Sequence, residues 1–112
     1  MFGKNKSARG YHKISPDEAK RIMDENSNFT LLDVRSTGEF KTGHIRRAKC
    51  LPVEEIAYRA EKELPDKDAL ILTYCQSGMR SRSPAKTLEK MGYTNVNDFG
   101  GIMTWTYGTV RK

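Results

Sequence analysis

The segment that decides the fold is Ala69-Leu70-Ile71-Leu72-Thr73-Tyr74, followed at once by Cys75-Gln76-Ser77-Gly78-Met79-Arg80-Ser81. Its first half is a continuous apolar run of strand length, the pattern of a strand covered on both faces in a parallel sheet. Its second half turns polar, and Ala85, Leu88 and Met91 then recur at three-residue spacing, the apolar stripe of a short helix that Gly92 closes. A strand entering a tight turn that opens into a helix leaves backbone N–H groups without partners at the helix start. Those donors and the helix dipole favour a negative charge held in the turn. Cys75, at the strand's end, is therefore expected to be biased toward thiolate, as cysteines at helix N-termini are. Gly78 lets the backbone bend inward around the sulfur, and Arg80 adds a permanent cation where the loop ends. A lone cysteine is usually a small buried hydrophobe. The polar residues directly after Cys75 argue instead for a reactive thiol.

Upstream, residues 1–10 carry little apolar content and read as a flexible tail, with one domain from residue 11 to 112. Tyr11 to Ile14 can form a short edge strand. Ser15-Pro16-Asp17-Glu18 marks a helix start, with Ser15 as N-cap, Pro16 at the first helical position and Glu18 reaching back in a capping box. Ala19, Ile22 and Met23 supply its buried stripe, and Asn26 to Asn28 end it. Phe29-Thr30-Leu31-Leu32-Asp33-Val34 reads as a second buried strand. Ser36-Thr37-Gly38-Glu39 repeats the capping-box pattern, so a short helix carries Phe40 and Lys41 until Gly43 stops it. Ala48 to Leu51 makes a brief strand ended by Pro52, and Val53, Ile56, Ala57, Ala60 and Leu64 form an amphipathic helical stripe. Beyond Gly92, Val96 to Phe99 is a weak strand, and Gly100-Gly101 opens a last turn bearing Trp105. The alternation of strand and helix predicts an α/β fold with a mostly parallel sheet, right-handed crossovers and a ligand site at the C-terminal strand ends.

At 112 residues with 37% hydrophobic content, the chain suits one compact domain. No window holds the roughly 18 apolar residues of a membrane span, and the first residues lack the apolar stretch of a signal peptide. A cytoplasmic location is expected, where two cysteines are reactive or reduced more often than bridged. No Cys/His spacing resembles a zinc site, so no metal and no cofactor are expected. The net charge of +6 is spread over several segments. It therefore points to small anions and away from nucleic acid.

Several separated motifs occur in order: Leu32-Asp33-Val34-Arg35 with Glu39-Phe40, Gly43-His44-Ile45, Cys75-x-x-Gly78-x-Arg80-Ser81, Gly92-Tyr93-x-Asn95-Val96, and Gly100-Gly101 with Trp105. Over about Ile14 to Trp105 the chain thereby resembles the rhodanese-like domains, single-domain sulfurtransferases that carry sulfur as a persulfide on a loop cysteine. The resemblance implies a three-layer fold with a mostly parallel five-stranded sheet flanked by helices on both faces. Here the loop from Cys75 to Arg80 has six members, the length found in the sulfurtransferases; related dual-specificity phosphatases and arsenate reductases have one more. It implies double displacement: Cys75 attacks a sulfane sulfur donor such as thiosulfate, and cyanide, a thiol or a protein acceptor removes the outer sulfur. Gln76, Ser77, Gly78, Met79, Arg80 and Ser81 would form the cradle for the persulfide anion, and Arg80, with Arg82, would draw in the anionic donor. A non-catalytic sulfur relay or binding module is the alternative, and a phosphatase or arsenate reductase a more distant one.

Asp33 and Arg35 fall where family members keep a structural acid and base, and a buried or capping ion pair involving Glu39 is the expected role. His44, before a buried isoleucine, reads as a packed, hydrogen-bonded side chain. Arg46-Arg47 replace the Pro-Gly common after Gly-His-Ile, which should remove a rigid turn and add two cations, either for an acidic partner or simply solvated. Cys50 is read as a single buried thiol, with a resolving disulfide to Cys75 as its other possible role. Pro84 falls in the first helical turn after the loop, where a missing N–H costs little.

Overall fold

The computed structural model describes residues 10–77 and 82–111, without the side chain of Arg82. Within them the elements are β1 Gly10–Lys13, α1 Pro16–Glu25, β2 Thr30–Asp33, α2 Thr37–Thr42, β3 Ala48–Cys50, α3 Ile56–Glu63, β4 Ile71–Cys75, α4 Arg82–Lys90 and β5 Asn95–Gly101. Turns of 3-10 helix precede α3 at Val53–Glu55 and follow β5 at Ile102–Thr104. The strands form one five-stranded sheet in the order β1-β5-β4-β2-β3, and each adjacent pair is parallel. The expected α/β architecture is thus the one observed, with β4 as the central strand.

The helix starts follow from their caps. Ser15 Oγ accepts from Glu18 N at 3.0 Å, which satisfies one orphan donor of α1; the Glu18 carboxylate, expected to reach back to Ser15, lies 3.6 Å from Arg21 instead. Around α2 the capping box is reciprocal: Ser36 Oγ accepts from Glu39 N, and the Glu39 carboxylate accepts from Ser36 N. Asn26 ends α1, its side-chain amide donating to the Ile22 carbonyl at 2.7 Å. Pro84 lies in the first turn of α4 and is buried there.

Because successive strand residues face opposite ways, β4 contributes to two cores. Ile71 and Cys75 join Leu32, Val34, Leu51 and Val96 on one face, under Ile56 and Ala60 of α3 and Ala85 and Leu88 of α4. Leu72 and Tyr74 join Leu31, Ile45 and Phe99 on the other, against Ala19, Ile22 and Met23 of α1 and Trp105. Each large apolar side chain so buried stabilises the fold by about 1.5–3 kcal/mol.

Several boundaries differ from the sequence reading, those of β1 and β5 among them. β1 begins at Gly10, which the sequence assigns to the tail. β5 is a seven-residue strand, not a weak four-residue one, and Gly100-Gly101 belong to its end. Its Asn97 and Asp98 look like turn residues in the sequence, yet both are buried. Asn97 Nδ2 donates to the Ile71 carbonyl and to Asn95 Oδ1, and Asp98 Oδ1 accepts from Gly100 N. These bonds let polar side chains occupy a covered strand.

Candidate functional site

The chain runs outward from β2 to β3, then returns to β4 on the other side of β2 and continues to β5. Such a reversal opens a crevice beyond the carboxyl ends of the two strands that flank it. Those ends are Asp33 and Cys75. Cys75 is fully buried at 0% exposure, and α4, which starts at Arg82, leaves its first N–H groups without helical partners. Among the expected cradle residues, Gln76 and Ser77 are described, whereas Gly78, Met79, Arg80 and Ser81 lie outside the described residues.

Asp33 and Arg35 form a buried ion pair. Arg35 Nη2 stands 2.7 Å from Asp33 Oδ2 and Arg35 Nε 2.9 Å from Asp33 Oδ1, while the Arg35 backbone N–H also donates to Oδ1. Asp33 is the direct partner of Arg35; Glu39, expected in this pair, caps α2 and its charge also favours the Arg35 cation. Burial works against the Arg35 charge, but the hydrogen bond and charge of Asp33 outweigh it and hold its pKa above the ordinary value. The rest of the guanidinium faces the site: Nη1 donates to Gln76 Oε1 at 3.2 Å and Nη2 to the Gly43 carbonyl at 2.6 Å. Arg35 thus ties the end of β2 to the first residue of the cysteine loop and to the end of α2.

Tyr74 completes this network, a role that its place in an apolar run conceals in the sequence. Its hydroxyl donates to Asp33 Oδ2 at 2.8 Å and accepts from Ile45 N at 3.0 Å. Burial pushes its pKa up, and the hydrogen bond from Ile45 N opposes this only in part. A legible signal did exist: a carboxylate closing a buried strand requires partners, and a tyrosine closing the adjacent strand is well placed to be one.

The second support is β5. Register with β4 runs Thr73 to Asp98 and then Cys75 to Gly101, so β5 holds one residue more than β4 across this interval. That is a β-bulge, with Gly100 in the left-handed region at φ +97°. The bulge brings Gly101 against the loop: a Cβ there would meet Ser77 Cα at 2.7 Å and the Gln76 carbonyl oxygen closer still. Two residues on, Met103 N donates to that same carbonyl at 3.2 Å. The start of the cysteine loop is therefore held from both sides, by Arg35 and by the end of β5.

Cys50 sits apart from Cys75. It shares a register row with Asp33, which in turn shares one with Tyr74, so two inter-strand spacings of about 4.8 Å separate Cys50 from β4. Its side chain lies on the Tyr74 side of the sheet, because alternation places Cys75 on the other. A disulfide needs Cα atoms within about 7 Å and facing Cβ vectors. The resolving role is therefore excluded without rearrangement. Cys50 is also half-buried, not buried, and its Sγ lies 3.7 Å from the Arg35 carbonyl. Burial, then the charge of Asp33, raises its pKa.

His44 is packed as expected: its ring stacks on Phe40 at 3.7 Å, Nδ1 lies 2.9 Å from the Phe40 carbonyl, and its backbone pairs with Val110. The turn after it is retained. Ala48 N donates to the Ile45 carbonyl at 3.0 Å, and Arg47 takes φ +77°, the geometry of a type II turn whose third position favours glycine. The substitution of Pro-Gly by Arg-Arg keeps the bend and moves its cost into Arg47.

Among the described residues, no group of three or more His, Cys, Asp or Glu side chains is arranged to hold a metal ion. No helix among them is long and apolar enough to cross a membrane.

A three-layer α/β domain with a buried cysteine at the end of its central parallel strand is the class that fold and site define. The family model described as Rhodanese-like domain matches residues 15–107, and the chain belongs to that family. It is 32% identical over 103 residues to a Bacillus subtilis protein provisionally named sulfur carrier protein YrkF, covering 91% of this chain and 55% of that one. It thus spans about half the length of that relative. It is 32% identical over 71 residues to thiosulfate sulfurtransferase PspE of Escherichia coli, covering 63% of this chain and 68% of that one. Among solved structures, the rhodanese-like domain of the Anabaena protein Alr3790 superposes with a TM-score of 0.81 at 26% identity, covering 89% of this chain and 79% of that one. An E. coli rhodanese solved with anions gives 0.69 at 29% identity, covering 74% and 98%.

Proposed function

We propose that this chain is a sulfurtransferase of the thiosulfate or persulfide type, with Cys75 as its sulfur carrier. The observation that carries the reading is the position of Cys75, buried at the C-terminal end of the central strand, in the crevice where strand order reverses and ahead of the α4 N-terminus. The Cys75 thiolate attacks the outer sulfur of thiosulfate; the new S–S bond gives Cys75–S–S⁻, and sulfite leaves with the electron pair of the broken bond. Cyanide or a thiolate then attacks the outer sulfur, taking it away and returning the thiolate. Backbone N–H groups from Gln76 to Ser81, aided by the helix dipole, stabilise the persulfide anion. Arg80 and Arg82 attract the anionic donor. Asp33 and Arg35 position Gln76 and do not react. Similarity to a rhodanese solved with anions supports an anion-binding loop.

The test is intact-mass analysis after incubation with thiosulfate. One added sulfur atom on Cys75, and loss of thiocyanate production from thiosulfate and cyanide in Cys75→Ser, are the expected results. Thiocyanate production at full rate in Cys75→Ser would sink the proposal, and aryl phosphate hydrolysis dependent on Cys75 would replace it by phosphatase chemistry. The relay reading is favoured by the similarity to a protein named as a sulfur carrier. Slow turnover with cyanide, together with fast transfer to one protein acceptor, would select it.

A further inference from the structure

On the face of the sheet that Tyr74 and α1 share, a groove of about 320 Å³ opens between α1, the Ile45–Ala48 turn and the Trp105–Gly108 segment. Its floor is apolar and aromatic, from Met23, Phe29, Ile45 and Trp105, and Arg46 and Arg47 stand on its rim. We propose that this groove docks an acidic polypeptide segment, whose carboxylates meet Arg46 and Arg47 while an apolar side chain between them enters the floor.

Charge complementarity carries the argument. Among the described residues neither arginine has a carboxylate partner. Arg46 is exposed. Arg47 is held with its guanidinium 4.2 Å above the Phe29 ring and donates only to the Ser27 carbonyl, at 3.3 Å. A stacked guanidinium keeps its edge donors in the plane that a carboxylate approaches. The carboxylate that does line the groove, Asp24, is already neutralised by Lys20, which reaches both its oxygens at 2.8 Å. Arg47 also holds φ +77° where glycine would be unstrained. A cation kept at the expense of backbone strain at a surface turn is a mark of an interaction site.

The size of the groove is at the lower end for ligand pockets, which suits one or two side chains of a segment and not a nucleotide cofactor. Asp17, which accepts a hydrogen bond from Tyr107, places negative charge beside the groove. A continuous phosphodiester chain would run against it, whereas separate carboxylates can avoid it. Neither Cys75 nor the described part of its loop lines the groove. The proposal therefore stands whether or not Cys75 carries sulfur.

Trp105 is the sole tryptophan of the chain, so its emission reports on the groove directly, with calorimetry as the second readout. The probe is a blocked pentapeptide alternating glutamate with phenylalanine and leucine; its glutamine counterpart and a short oligothymidylate are the comparisons. The glutamate peptide should bind with a shift in Trp105 emission, weaken as salt is raised, and bind about tenfold more tightly than the glutamine peptide, as two favourable exposed ion pairs would give. The double variant Arg46→Ala/Arg47→Gly, in which glycine accepts the turn's φ, should lose the same factor while its circular dichroism is unchanged; Arg46→Ala alone should lose part of it. Equal binding of the two peptides, undiminished binding by the double variant, or no binding at millimolar peptide would overturn the proposal. Tighter, arginine-dependent binding of the oligothymidylate would overturn it in favour of nucleic acid.

Discussion

Asp33 is a carboxylate with 0% exposure, and its burial is tolerable only because each oxygen has fixed donors. Oδ1 accepts from the backbone and Nε of Arg35, Oδ2 from Nη2 of Arg35 and the hydroxyl of Tyr74. Removing one member of such a pair leaves the other charge buried without compensation. Asp33→Asn should therefore cost about 3 to 5 kcal/mol in urea unfolding, and it should slow sulfur transfer as well, since Arg35 then no longer holds Gln76 in place. Cys50 gives the opposite expectation. It lies two strands away from β4 and faces the other side of the sheet, so Cys50→Ser should leave thiocyanate production unchanged. Mild oxidation of the parent chain should yield no intramolecular Cys50–Cys75 link by peptide mapping. Finding that link would show that the strand ends rearrange.

At the scale of elements, β5 carries more of the site than its sequence suggests. The bulge at Gly100 directs Gly101 into contact with Gln76 and Ser77. Gly101→Ala places a methyl group against backbone on both residues, and overpacking of this kind costs about 1–3 kcal/mol. Its kcat/KM with thiosulfate should fall more than its thermal stability, because the atoms that must yield are those of the cysteine loop. A variant with parent kcat/KM would mean that the loop does not depend on this contact. β5 was hard to read because Asn97, Asp98 and two glycines resemble a turn; their hydrogen bonds to Ile71, Asn95 and Gly100 come from tertiary pairing that no local pattern announces. Arg47 was hard for a related reason, since an arginine gives no hint of the positive φ that the Ile45–Ala48 hydrogen bond imposes. β4, α4 and both serine caps were legible because apolar runs, three-residue spacing and capping pairs are local signals. The Asp33–Arg35 pair was legible only as an ion pair, because choosing Asp33 over Glu39 requires knowing which way the strand end faces.

Across the whole molecule, two buried tyrosines set the alkaline limit. Burial raises the pKa of Tyr74, which bonds Asp33, and of Tyr93, whose hydroxyl donates to the Leu64 carbonyl. Both hold their protons to higher pH in the folded chain than in the unfolded chain, which ionises from about pH 10, so their stabilisation is complete below that value and is lost as pH rises past it. Thermal midpoints should fall as pH rises above about 10, and the fall should be shallower in Tyr74→Phe, on top of a lower midpoint at neutral pH. An equally steep fall in that variant would place the alkaline transition elsewhere. Cys75 belongs to the same packed cluster as Ile71, Leu88 and Val96, and a central strand so enclosed should exchange its amide hydrogens only through global opening of the domain. An atom attached to its sulfur is therefore moored to the slowest-breathing part of the molecule. Under the proposed chemistry, how long it stays would be decided by what enters the crevice, and not by fluctuations of the scaffold beneath it.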